Sequence, residues 1–264
     1  MNTQKLIYLA AGVLIGFAAG FIFTNGVNRK EHDRLRAEVA QLRGGNGGSG
    51  ANRRDGGAPA PNSRGSSEQT LSDEEIRQKI AQADANPGDI NFQRELSRGL
   101  FLYATNFERA DLLPEIARLL KRAHDADASD EGVTVLLANT YFLMGQNGDA
   151  AHFGEARTYY SKVLKSKPGD AYLHTALGLA YFYDRPSDPK SAIREFRRSL
   201  ASDPRHEMGL QGLAAALIAS GETEEASRRL EELQSVNPSN AALPDLRAQL
   251  AQKTNAGGGP KQSN

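Results

Sequence analysis

The spacing of apolar residues changes character three times along the chain. Leu6 to Phe23 is an uninterrupted, uncharged apolar run of 18 residues, near the lower limit for crossing a bilayer as a helix. Residues 25–43 are polar with one short seam, Leu35, Val39 and Leu42, at four-then-three spacing. A coiled coil sustains that spacing over three or more heptads, so this stretch predicts a solvated helical stalk. Residues 44–70 carry no periodicity and are rich in Gly, Ser, Asn and Pro, a composition that cannot bury enough apolar surface to offset the entropy of ordering. Read as a flexible tether, those 27 residues place their ends ~30 Å apart. From Ser72 onward apolar positions return at helical spacing, beginning with a capping Ser followed by Glu75. No alternating run predicts a strand. The expected fold is all-α, a stack of helices over residues 71–252 behind an anchor at 6–24, a juxtamembrane helix at 25–43 and a linker at 44–70, with a five-residue tail before the anchor and a disordered tail over 253–264.

Within the helical region one arrangement recurs. Ala156, Tyr160 and Pro168 have the same mutual spacing as Ala192, Phe196 and Pro204, and as Ala226, Leu230 and Pro238. Ahead of each triplet lies a second signature: Leu137-Ala138 with Tyr141, Leu177-Gly178 with Tyr181, and Leu213-Ala214 with Leu217. Two antiparallel helices approach closely only where small residues face one another. A large residue one turn on then fills the space toward the next pair, and a proline ends the unit because it is poorly tolerated inside a helix. One such hairpin cannot bury its own apolar face, so copies must stack.

These helix pairs resemble the tetratricopeptide repeat, whose period is about 34 residues. The resemblance implies an α-solenoid with clear repeats at 131–170, 171–206 and 207–240. It also implies a degenerate repeat at 89–130, where Leu96, Leu100, Leu120 and Ala123 fit but the closing proline is missing, and a capping helix at 241–252. Two repeats carry insertions between their helices, in "GQNGDAAHFGEA" and "YDRPSDPKSA". Insertions in solenoids fall in turns on one face. They serve either as binding elements or as longer helix ends.

The apolar N-terminal run has two readings. A cleavable signal peptide would use the small residues Ala18, Ala19 and Gly20. An uncleaved single-pass anchor accounts better for the run continuing through Phe23. Gly12, Gly16 and Gly20 share one helix face, the small-xxx-small pattern of close membrane-helix packing, which allows a homo-oligomer; equally, glycine is common in such helices. Arg29, Lys30, Arg34, Arg36 and Arg43 follow the run. By the positive-inside rule they favour a cytoplasmic domain on a bacterial inner membrane, although a short N-terminal tail can cross and leave the domain periplasmic.

Charge and chemistry narrow the function classes. Residues 1–70 hold nine Lys and Arg against five Asp and Glu, and the remainder 23 against 27. Neither half carries the strong basic field of a nucleic-acid binder. The chain has no cysteine, which excludes disulfides, thiolate metal sites and thiol catalysis. The five histidines (His32, His124, His152, His174 and His206) form no pair four residues apart and read as surface or packing residues. "GGNGGSG" follows no strand and opens no helix, so it lacks the context of a phosphate loop. No G-x-S-x-G serine is present. No catalytic residue, metal or cofactor is expected.

Binding is what the resemblance implies. In the family, one face of each first helix lines a concave groove. By register that face carries Arg94 and Arg98 in the degenerate unit; Asn139 and Phe142; Tyr172, Thr175, Leu179, Phe182 and Tyr183; and Gln211 and Ile218. Exposed aromatics among these would anchor a peptide or protein partner; alternatively Phe142, Phe182 and Tyr183 pack between helices. The subfamily that clamps a peptide's terminal carboxylate uses Lys and Asn here. Only Asn139 matches, with Val135 in place of a Lys. The expected function is a membrane-anchored scaffold. Anchor, linker and repeats together also resemble the repeat-containing subunits of cytochrome c maturation systems, which bind unfolded apocytochrome, and a self-assembling structural protein is the third reading.

Overall fold

The computed structural model describes residues 71–257. The expected anchor, stalk and tether, with Gly12, Gly16 and Gly20, lie outside the described residues, as does the tail from 258. Among the described residues the chain is helical throughout, with ten α-helices and no strand. They are α1 (Asp73–Ala85), α2 (Ile90–Asn106), α3 (Leu113–Ala126), α4 (Glu131–Gln146), α5 (His152–Leu164), α6 (Ala171–Tyr183), α7 (Pro189–Ser202), α8 (Glu207–Ser220), α9 (Thr223–Val236) and α10 (Leu243–Gly257). None is long and apolar enough to cross a membrane.

Local chemistry accounts for the starts. Ser72 and Glu75 form a reciprocal capping box on α1, which satisfies otherwise orphaned amides. Asp89, Asp130, Asp170 and Asp188 each accept the N–H three residues on, at 2.9 to 3.0 Å. Ends are set as plainly. Gly221 closes α8 in the left-handed conformation, with φ 80°, which glycine adopts without a Cβ clash. At the end of α2 the same region is occupied by Glu108, with φ 54°.

Consecutive helices pack antiparallel in pairs, α2 with α3, α4 with α5, α6 with α7 and α8 with α9, and each pair packs on the next. The small residues stand at the crossings: Ala138, Ala156, Ala192, Ala214 and Ala226 have no exposed surface. Tyr160, Phe196 and Leu230 are buried between pairs. Phe196 shows why Gly178 is needed, because a Cβ there would lie 2.8 Å from its ring. On the opposite side Gly212 of α8 is closer still, with a Cβ position 2.5 Å from the same ring. A single phenyl ring thus fills the seam between α6 and α8.

The degenerate unit is a full helix pair, with Leu96, Leu100, Leu120 and Ala123 buried. Its missing proline is replaced by a polar turn in which Asp127 accepts from the Ser129 amide at 3.0 Å and from its hydroxyl at 2.6 Å. The first insertion is absorbed by the core: Phe153 is buried against Phe142. The capping helix outruns the expected boundary. α10 continues through residues 253–257, which were expected to begin the tail, and Thr254 bonds back to the Leu250 carbonyl at 3.0 Å. Lys253, Thr254 and Asn255 are exposed, so that last turn extends into solvent.

Candidate functional site

The structure divides the eleven groove residues into two groups. Asn139, Phe142, Thr175, Leu179, Gln211 and Ile218 are buried; Arg94, Arg98, Tyr172, Phe182 and Tyr183 are half-buried. For the first group the expectation of an open lining is corrected. The small residues of α6 and α8 let these helices approach closely enough to enclose them, and α10 packs on α8 from the far side.

Each buried polar member has a partner. Asn139 Oδ1 accepts from the Tyr160 hydroxyl at 2.7 Å and the Tyr172 hydroxyl at 3.2 Å. Thr175 and Ser199 share a hydroxyl hydrogen bond of 2.8 Å. Gln211 Oε1 accepts from Asn240 at 3.3 Å. Burial pushes the Tyr160, Tyr172 and Tyr183 hydroxyls above the usual phenol range, so all three stay protonated. Arg94 is held by Asp130 at 3.2 Å, so it does not stand as an open cation at the groove end.

The surface that remains is an aromatic edge. Phe142 packs edge-on against Phe153 at 5.4 Å and Tyr183 at 6.2 Å, while Phe182 and Tyr183 lie 5.6 Å apart. Two buried rings therefore support two half-buried ones at the C-terminal ends of α4 and α6. Phe153, in the first insertion, is a member the register did not place. Its signal in the sequence is Gly145, where a Cβ would meet the Phe153 ring at 2.9 Å.

A second ring column was also missed. His152 stacks on Tyr141 at 5.6 Å, Tyr141 on Tyr159 at 5.8 Å, and Tyr159 meets His124 edge-on at 5.3 Å. His124 is buried, with Nε2 accepting from Lys162 Nζ at 2.9 Å and Nδ1 donating to Thr134 Oγ1 at 3.1 Å. Burial first, then the Lys162 charge, holds its pKa below the ordinary 6.5. Buried His174 faces a different environment, Glu195 at 2.8 Å and the Pro168 carbonyl at 3.0 Å. Arg157 ties the repeats from outside: it lies 5.0 Å over the Tyr181 ring, donates to the Ala180 carbonyl at 3.3 Å and pairs with Asp184.

No group of three or more His, Asp or Glu side chains that could hold a metal occurs among the described residues. A shallow cleft of about 360 Å³ between the end of α7 and α9 is lined by Leu200, Pro204, Arg205, Arg229 and Val236, with Glu232 beside Arg229. Its apolar walls and paired charges form no catalytic arrangement.

Comparison with known proteins agrees with this geometry. A family model described as tetratricopeptide repeat matches residues 186–250. A probable biofilm formation methyltransferase, WspC, of Pseudomonas putida is 32% identical over 124 residues, which is 46% of this chain and 28% of that protein. This chain thus spans well under half the length of that relative. Among solved structures, MamA superposes with a TM-score of 0.50 at 16% identity, covering 64% of this chain and 90% of that one. A thermophilic TPR protein of Thermus thermophilus gives 0.47 at 18% identity, covering 69% and 90%. The small-residue crossings, the proline-closed units and the match over residues 186–250 make the helical region of this chain a tetratricopeptide-repeat-type α-solenoid in fold.

Proposed function

We propose that this protein is a membrane-anchored scaffold that holds a peptide or protein partner against the first-helix side of its repeats. The coarse part rests on the repeat fold, whose stacked helices suit protein–protein contact. The observation that carries the finer part is the aromatic edge: half-buried Phe182 and Tyr183 supported by buried Phe142 and Phe153. Rings already fixed by packing lose little freedom on binding, and aromatic anchors suit an apolar or extended peptide. The reading assigns binding and no turnover.

The apolar run Leu6–Phe23 supports a single-pass anchor, and the arginines that follow it support a cytoplasmic domain on a bacterial inner membrane. The test is recovery of partners by the full-length chain in mild detergent beside a Phe182→Ala, Tyr183→Ala variant. The expected outcome is a loss of about tenfold or more, as for truncated aromatic anchors. Equal recovery by a variant that melts like the parent removes the aromatic edge as the site.

A further inference from the structure

Helix α1 is attached to the solenoid differently from the helix at the other end. Of its 13 residues only Ile76 and Ala83 are buried. Around α10, by contrast, Ala242, Leu243 and Leu246 are buried, and Asn240 bonds to Glu207 of α8 at 2.6 Å. Besides Ile76, Ala83 and the half-buried Leu71 and Ile80 that pack on the core, charge fastens α1. Asp84 receives Arg122 at 2.7 Å and Arg118 at 2.5 Å, both from α3, and Asp73 receives Arg109 at 2.8 Å. Neutral hydrogen bonds add to these: Gln93 Nε2 donates to the Ala83 carbonyl at 2.6 Å and to the Asn86 carbonyl at 3.3 Å, and the Tyr103 hydroxyl donates to the Leu71 carbonyl at 3.1 Å. The acidic partners are open to solvent, with Asp84 41% and Asp73 62% exposed, so dissolved ions reach them.

The sequence explains why α1 is poorly covered. It is followed by Pro87-Gly88-Asp89, the same tripeptide as Pro168-Gly169-Asp170 after α5. α1 is thus placed like the second helix of a unit, but among the described residues no first helix pairs with it. Charged groups that fasten it lose their attraction as the screening length falls from about 10 Å at 0.1 M salt to about 3 Å at 1 M. Once detached, a helix of this length is marginal in water.

We propose that α1 is an electrostatic latch that undocks as a unit while α2 to α10 stay folded, to an extent set by ionic strength. Undocking converts a helix of ~20 Å into a strand of chain that extends to ~45 Å. It lengthens the reach of whatever precedes the repeats, and it uncovers the parts of α2 and α3 that α1 touches.

Hydrogen exchange of the full-length chain, read by mass spectrometry in 50 mM and 1 M sodium chloride, tests this. Amides of α1 are expected to exchange about tenfold faster at high salt, as exposed ion pairs are screened, while those of α8 and α10 keep their rates. An Arg118→Gln, Arg122→Gln variant is expected to show the fast α1 rate already at low salt, with little further response. Equal α1 rates at both salts overturn the latch, and so does exchange of α1 only in step with α8. Neither result depends on the aromatic edge binding a partner.

Discussion

At the junction of α6 and α8 the ring of Phe196 lies against two glycines, Gly178 and Gly212, whereas at the junction of α4 and α6 the buried ring is Tyr160 and the residues in the matching register are Ala138 and Ala176. The Phe196 junction closes by shape: a methyl at Gly212 would stand 2.5 Å from the ring. The Tyr160 junction adds directional bonds, since its hydroxyl donates to Asn139, which Tyr172 also reaches from α6. One pair earlier, His124 links α3 to Thr134 of α4 and Lys162 of α5. One repeat register therefore accommodates two solutions, and they are expected to fail differently. The Phe196 junction is sensitive to volume, and the packing around His124 also to protonation.

The largest expected effect follows from removing the shared ring. Phe196→Ala empties a space that two helix pairs enclose, and urea denaturation is expected to show a loss of about 3–5 kcal/mol. Retention of parental stability would mean that α6 and α8 collapse freely onto each other. Gly212→Ala comes next. The better helix propensity of Ala contributes up to about 1 kcal/mol against about 1–3 kcal/mol for displacing the ring, so a net loss of up to about 2 kcal/mol is expected. A stabilised variant would show that the glycine is there for propensity alone.

The smallest effect belongs to the packing around His124. His124 is held neutral by burial and by Lys162, with Lys121 adding to that charge and Asp125 and Asp127 opposing it. Its folded pKa lies below 6.5, so the unfolded chain binds the proton first and stability is lost as pH falls below 6.5. His206, lowered by burial, acts in the same direction at the α7–α8 turn. Thermal melts from pH 7.5 to 5 are expected to fall for the parent and to fall less for His124→Gln. An unchanged slope in that variant would remove His124 from the comparison.

Much of this fold was legible in the chain. The triplets beginning at Ala156, Ala192 and Ala226 place six helices and their crossings, because the spacing of small and large residues is dictated by close helix contact. The degenerate unit could be read for the same reason, and Ser72 because a Ser with Glu three residues on satisfies the first amides of a helix. The candidate site was less legible. Register assigned Thr175, Leu179, Gln211 and Ile218 to a groove, but it says nothing about how near the next helix comes. Phe153 was missed because it lies in an insertion, where register has no hold, and the pairing of Arg94 with Asp130 joins different helices.

By itself the sequence determined the helices, their order and the residues at each crossing, since propensity, capping and spacing act over a few neighbouring positions. Only the tertiary structure decided which of the first-helix residues stay accessible, that Tyr183 rests on Phe142 and Phe153 with Phe182 beside it, and that three arginines fasten α1 beside its narrow apolar contact. Those outcomes depend on distances between residues remote in the chain. Such distances follow from the packing of whole helices, in which one glycine beside one ring sets the approach.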